Sequence, residues 1–241
     1  MFWFGLVLFG AVCLLWSLIA SVLYRLLPRR PGVRVGQFAI MAGFRGYLSV
    51  MQAIGLFRLD LRALDALRGA GALVLAPNHP SLFDAVVVIS RLPRVVCIAK
   101  ASLWDNLFLG GGVRLAGYIR NDAPLHLVRQ AVCALADSQQ LLVFPEGTRT
   151  VAPPVDRFRG GFLLMARRAG VPVQTVFLEY NCGFLGKGWG LFQKPPLPVV
   201  VTARLGHRFE VAADLHGCLA ELERYYRRCL AATAAVRGVH A

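Results

Sequence analysis

Five short, predominantly apolar runs recur along this chain, Ala72–Pro77, Val95–Ala99, Leu141–Phe144, Val173–Tyr180 and Val199–Leu205, with helical patterns between them. Runs of that length and apolarity read as strands covered on both faces. Strand and helix in alternation predict an α/β domain whose sheet is largely parallel or mixed and covered by helices. The clearest helix starts near Asp122, taken as its N-cap, carries Pro124 in its first turn and spaces Leu125, Val128, Val132 and Leu135 along one face. Further helices are expected over 160–170 and 214–230.

The first 57 residues follow a different rule. No charged residue occurs from Phe2 to Tyr24. As a helix that stretch is roughly 34 Å long, enough for a ~30 Å hydrocarbon core. A cleaved secretory signal is the competing reading, but no positive charge precedes the run and no small-residue cleavage site follows it. Arg25, Arg29, Arg30 and Arg34 come next instead, and the positive-inside bias then puts the remainder on the cytoplasmic face of a bacterial-type inner membrane. A second apolar stretch, Phe38 to Phe57, carries Arg45, Ser49 and Gln52 as one narrow polar stripe at helical spacing. It fits an interfacial helix or a core helix equally. The expected layout is a membrane-associated helical region over 1–57, the α/β domain over 58–231 and a fraying tail over 232–241.

Composition narrows the partners. Hydrophobic residues make up 56% of the 241, and the formal net charge is +14. An apolar chain with that charge suits an anionic membrane surface or phosphate-bearing ligands. The basic residues are dispersed, with neither a dense block nor a zinc or recognition-helix signature, so nucleic acid is not expected. The six cysteines show no C-x-x-C spacing, and several sit in apolar runs, so neither a metal site nor a disulfide frame is expected.

Two strings carry chemistry. In Asn78-His79-Pro80-Ser81-Leu82-Phe83-Asp84 a base is followed five residues on by a carboxylate. If a strand ends at Pro77 and a helix begins near Ser81, Asp84 points back at His79, fixes its tautomer and leaves the other ring nitrogen to act as base. A structural His–Asp pair bracing a turn is the alternative. Ser81 lacks a G-x-S-x-G elbow, which disfavours a serine nucleophile. The second string, Phe144-Pro145-Glu146-Gly147-Thr148-Arg149, places a carboxylate, a hydroxyl and a planar guanidinium on a Pro/Gly turn suited to phosphate.

With these blocks the chain resembles the lysophospholipid acyltransferase family, typified by 1-acylglycerol-3-phosphate acyltransferase. Asn78, His79 and Asp84 match its N-H-x-x-x-x-D block, and 144–149 match F-P-E-G-T-R throughout. Val171, Pro172, Val173 and Val176 follow a later V-P block, with Thr175 where proline is usual. Lys100 resembles a lysine after the second strand, and Phe158-Arg159-Gly160 resembles F-K-x-G. The family's aromatic-Ile-x-Arg block is shifted here: Arg120 follows Ile119 at once, and Asn121 holds the usual arginine position. A one-residue shift on a strand turns a side chain to the other face. That departure suggests a branch acting on an unusual acceptor, such as enzymes of aryl-polyene or xanthomonadin-type pathways.

The resemblance implies fatty acyl transfer from a thioester, on coenzyme A or acyl carrier protein, to a lysophospholipid hydroxyl, with no metal or other cofactor. His79 is implied as base and Asp84 as its partner. Asn78, Glu146, Gly147, Thr148 and Arg149 are implied at the acceptor, with Arg120, Lys100 and Arg159 as further phosphate or carrier contacts. A hydrolase using the same pair, or a silent lipid-binding protein on the same fold, are the competing functions.

Overall fold

The computed structural model describes residues 2–190 and 193–236. Each of the five expected strands is present, and two more frame them. In chain order they are β1 Phe57–Asp60, β2 Leu73–Pro77, β3 Val95–Lys100, β4 Ile119–Asn121, β5 Gln140–Leu142, β6 Val173–Tyr180 and β7 Val199–Phe209. The helices are α1 Phe2–Leu26, α2 Arg29–Ala53, α3 Asp84–Ile89, α4 Ala101–Trp104, α5 Gly110–Leu115, α6 Pro124–Ala136, α7 Gly161–Ala169 and α8 Leu215–Val236, with a short 3₁₀ turn over Arg62–Leu67. Among the described residues the strands form one sheet in the order β1-β7-β6-β2-β5-β3-β4.

The sheet is mixed. From β6 across to β4 every neighbouring pair is parallel, whereas β7 runs antiparallel to β6 and takes β1 along with it in parallel. The parallel strands are covered on both sides, which explains their continuous apolar runs: Leu73, Val74, Leu75 and Ala76 are all fully buried. The direction of the crossovers sorts the helices. From β2 through α3 to β3, and on through α4 and α5 to β4, the chain steps one way along the sheet; through α6 to β5 and α7 to β6 it steps back. Right-handed crossovers therefore place α3 to α5 on one face and α6 and α7 on the other. Helices α1 and α2 join the first layer by packing on α5, and α8 joins the second by packing on α7.

Several boundaries differ from the sequence expectations. Helix α6 begins at Pro124 with Ala123 at its N-cap, and no side chain caps it. Asp122 instead pairs with Arg120. The buried face of α6 is Leu127, Val128, Ala131 and Leu135, while Leu125 is 85% exposed. Helix α3 begins at Asp84 rather than near Ser81, whose hydroxyl accepts the Phe83 N–H at 3.1 Å. The run at 141–144 yields only a three-residue strand, Gln140–Leu142, beyond which the Val143 N–H still reaches the Leu75 carbonyl of β2 at 2.9 Å. Helix α8 continues past 231 as far as Val236, so the expected tail is partly helix; residues 237–241 lie outside the described residues.

The N-terminal region is less separate than its composition suggests. Helix α1 has the length and apolarity to cross a bilayer. Its buried residues are mostly small, Gly5, Cys13, Ser17 and Ala20 with Phe2, and they face the protein. Its outer face exposes Phe4, Val7, Leu15, Leu18 and Val22. The inner face meets the run Gly110-Gly111-Gly112 of α5, and the Gly111 N–H donates to the Ser17 hydroxyl at 2.9 Å. Helix α2 starts well before the apolar stretch at Phe38 and docks beside α1. A Cβ on its Gly36 would lie 2.7 Å from the Ala116 nitrogen, and buried Gln37 donates to the Ala116 carbonyl at 3.2 Å. Arg45, Ser49 and Gln52 are exposed, as the stripe predicted, while Tyr47, Leu48 and Met51 are buried against the domain.

A side chain at Gly111 would collide with the Ser17 carbonyl. Gly111→Val is expected to force α1 from α5 and to destabilise the protein by about 1–3 kcal/mol. A thermal melt in detergent, compared with a control substitution at exposed Val22, checks it; equal melting temperatures would count against close α1–α5 packing.

Candidate active site

The chemistry-bearing residues gather where the parallel strands end. In open α/β sheets, ligands sit outside the carboxyl edge of the strands, because the loops there diverge and leave a crevice. β2 delivers Asn78 and His79 to that edge, β5 leads to Glu146, and β6 ends at Tyr180.

His79 and Asp84 meet as their spacing predicted. Nδ1 of His79 lies 2.8 Å from Oδ2 of Asp84; the histidine side chain is 14% exposed and the aspartate fully buried. The turn closes so that the Ser81 N–H also donates to Asp84 Oδ2, at 2.8 Å. The remaining oxygen, Oδ1, accepts the Tyr180 hydroxyl at 2.6 Å. Burial pushes the Asp84 carboxyl above the usual range, and the bonds from His79, Tyr180 and the Ser81 N–H oppose that shift. Burial and the nearby Asp84 charge raise the Tyr180 phenol well above its ordinary value, so it stays protonated and remains a donor. With Nδ1 committed to Asp84, Nε2 is the ring nitrogen left to exchange a proton. The imidazole lies flat on Phe144, with ring centroids 3.8 Å apart and planes 15° from parallel.

Glu146 ties the two strings together. It is 2% exposed; Oε1 accepts the His79 N–H and Oε2 the Asp156 N–H, each at 2.9 Å. Burial raises its carboxyl above the usual range, against the pull of those donors. The Thr150 N–H returns to the His79 carbonyl at 2.8 Å, completing the link between the turns. Gly147 has φ +69, and Arg159 lies across it: a Cβ there would sit 2.9 Å from the arginine Cδ. That approach and the left-handed backbone both require glycine. Thr148 is half-buried on the same turn.

The other expected site residues are placed less centrally. Asn78 is buried and faces β6, donating to the Leu178 carbonyl at 2.9 Å and accepting its N–H at 2.7 Å. Arg149 uses Nη1 to hold the Leu185 and Gly186 carbonyls, at 2.9 and 2.8 Å, clamping the loop after β6. Lys100 is exposed at the end of β3. Arg120 sits on β4, separated from β2 by β5 and β3, hence roughly 14 Å away. It is paired there with Asp122 and Asp105. Tyr180 and Phe144 are the functional candidates that residue-by-residue reading passed over. For Tyr180 a signal was present: a tyrosine closing a strand at the site edge needs a partner for its buried hydroxyl.

Comparison with known proteins now places the chain. The sequence profile of the Acyltransferase family matches residues 58–179, from β1 into β6. The chain is 27% identical to human 1-acyl-sn-glycerol-3-phosphate acyltransferase beta over 224 residues, covering 89% of this chain and 78% of that protein. It is 22% identical to the 1-acyl-sn-glycerol-3-phosphate acyltransferase of Pseudomonas aeruginosa over 225 residues, covering 90% and 83% respectively. The crystal structure of the 1-acyl-sn-glycerophosphate (LPA) acyltransferase PlsC from Thermotoga maritima superposes with a TM-score of 0.67 over 95% of this chain and 96% of that one, at 16% identity, a likeness of fold. The protein belongs to the Acyltransferase family.

Removing the Tyr180 hydroxyl withdraws a donor that favours the ionised carboxylate. Without it the Asp84 carboxyl, already raised by burial, should keep its proton to higher pH. Tyr180→Phe is expected to move the acidic limb of the kcat/KM profile upward by about one pH unit. An unmoved limb in a folded variant would dissociate Tyr180 from the pair.

Proposed function

We propose that this protein moves a fatty acyl group from an acyl thioester to the hydroxyl of a lysophospholipid, 1-acylglycerol-3-phosphate being the reference acceptor, with His79 as general base. The observation that carries this reading is the buried carboxylate that binds Nδ1 of a part-exposed histidine at the carboxyl edge of the sheet. In this scheme Nε2 takes the acceptor's hydroxyl proton as its oxygen attacks the thioester carbonyl. A new C–O bond forms and the tetrahedral adduct collapses. The C–S bond then breaks, and the imidazolium returns the proton to the departing sulfur. Asp84 stabilises the imidazolium between the two transfers. Acyl transfer needs no redox change, and the scheme calls on no metal or additional cofactor.

Glu146 is assigned here to holding His79 and the 156–159 segment in place, since both its oxygens already accept backbone N–H groups. The turn Gly147-Thr148-Arg149, with Arg159 across it, is the candidate for the acceptor's anionic headgroup. Arg149 would contribute partly by fixing the loop it clamps. Asn78 is assigned to joining β2 and β6. Lys100, exposed at the end of β3, is assigned to an anion contact at the sheet edge.

The membrane reading rests on α1. Its outward apolar face and the arginines that follow it suit anchoring with the domain on a cytoplasmic, anionic lipid surface. Acyl substrates could then enter without crossing water, where each exposed methylene costs about 0.8 kcal/mol. A second reading keeps the chemistry and changes the acceptor to a less usual lipid, as in the pigment branch. It is favoured by one observation: Arg120 is occupied by Asp122 and Asp105 rather than facing the His79 turn.

Purified protein assayed against a panel of lysolipids, with coenzyme A and carrier-protein thioesters, tests both readings. His79→Ala and Asp84→Asn should each lower turnover by about 10²–10⁴-fold while the fold and membrane binding persist. Acceptor-independent release of free fatty acid would instead make the protein a hydrolase, and full activity in His79→Ala would end the proposal.

A further inference from the structure

The outer side of α8 carries a groove of about 310 Å³ that the acyl-transfer scheme does not use. Arg157, Arg224, Arg227 and His216 line it, over an apolar floor that includes Leu219. Its carboxylate, Glu223, is turned to neighbours: Oε2 accepts the Phe158 N–H at 3.0 Å, and Oε1 takes Arg227 at 3.0 and 3.2 Å. Three arginines against one engaged glutamate leave the groove positive.

The groove is connected to the site. Glu146 bonds to both the His79 and Asp156 N–H groups, so these two nitrogens lie within about 8 Å of one another, the sum of two hydrogen bonds and one carboxylate width. Arg157 is the next residue. Arg159 bonds back to Pro145 at 2.8 Å, so the 156–159 segment runs directly between the His79 turn and α8. Tyr226 on α8 in turn donates to the Ala76 carbonyl near the end of β2. The groove opens on the face of the sheet opposite to α1, away from the apolar helices.

We propose that this groove holds the phosphorylated nucleoside end of a coenzyme A thioester, with its pantetheine arm crossing the 156–159 segment toward His79. This rests on the acyl-transfer reading and adds the donor's binding place. Guanidinium forks match phosphate oxygens, and an imidazole supplies another donor beside them. The apolar floor suits a ribose or base face. The volume is that of a small-molecule site, roughly 300 Å³ and upward, whereas a carrier protein would need a face of about 800 Å². The arrangement also separates the substrates: the water-soluble end of the donor lies on the side away from the bilayer, and its acyl chain is delivered at the sheet edge.

The full-length protein in detergent, as wild type and as Arg157→Glu/Arg224→Glu, is titrated with coenzyme A itself by calorimetry. Acyl transfer is measured with acyl-coenzyme A and with the matching acyl-pantetheine thioester, which lacks the phosphates. The double variant is expected to bind coenzyme A at least about tenfold more weakly and to show a similar rise in KM for acyl-coenzyme A. Turnover, acceptor KM and all kinetics with acyl-pantetheine should be unchanged. Equal coenzyme A binding by the two proteins would overturn the proposal, as would an equal loss with acyl-pantetheine or a wild type that accepts only carrier-protein thioesters. Because coenzyme A binding is read without turnover, loss of the groove and failure of the acyl-transfer reading give different results.

Discussion

A carboxylate sealed from water will not stay ionised unless hydrogen-bond donors replace the lost hydration. Asp84 is such a group, and the site is organised around answering it. Its donors come from three places: the histidine five residues earlier, the peptide N–H of Ser81, and a tyrosine at the end of β6. Two strands and a helix N-terminus must therefore arrive in register before the charge is tolerable. Glu146 repeats the device one strand over, receiving peptide N–H groups from His79 and Asp156. Two buried acids thus help set the positions of the turns after β2 and β5, together with the Thr150 N–H bond to the His79 carbonyl and the stacking of His79 on Phe144.

The apolar side of the same turn is equally constrained. Phe83, immediately before Asp84, packs among Phe9 of α1, Tyr47 of α2, Phe57 of β1 and Phe184 of the loop after β6, with ring centroids 5.5 to 6.1 Å apart. That loop is fastened from its other side by Arg149. Aromatic rings at this spacing contribute more than their buried area. The two N-terminal helices are consequently part of the wall that holds the His79–Asp84 pair, in addition to any contact they make with lipid.

How much of this was legible in the residues depended on whether the information was local. Short apolar runs marked β2, β3 and β6 to within a residue, and the 79–84 spacing anticipated the His–Asp contact, because both are short-range. β1 and β4 were missed because four and three residues at the sheet margins, more than half of them polar, carry no periodic signal. Leu125 was misplaced because α6 starts beside the sheet edge, where its first turn overhangs solvent. The roles of Asn78 and Glu146 were harder still. Polar letters in a turn suggest ligand contact, yet Asn78 braces a strand a hundred residues away, and only the pairing of β2 with β6 reveals it. Tyr180 reached Asp84 through the same pairing.

The glycine run of α5 has a consequence for how this sequence can drift. Where α1 faces outward, shape is undemanding and one bulky aliphatic residue can replace another. Where it faces α5, a stripe of Gly5, Cys13, Ser17 and Ala20 must stay slim, because the opposing backbone leaves no room. A hydropathy profile treats both sides alike. Two α1 sequences of identical apolar content could therefore differ completely in whether they fit this protein, and a generic membrane span grafted in its place would hold the domain near lipid with a gap where the wall should be.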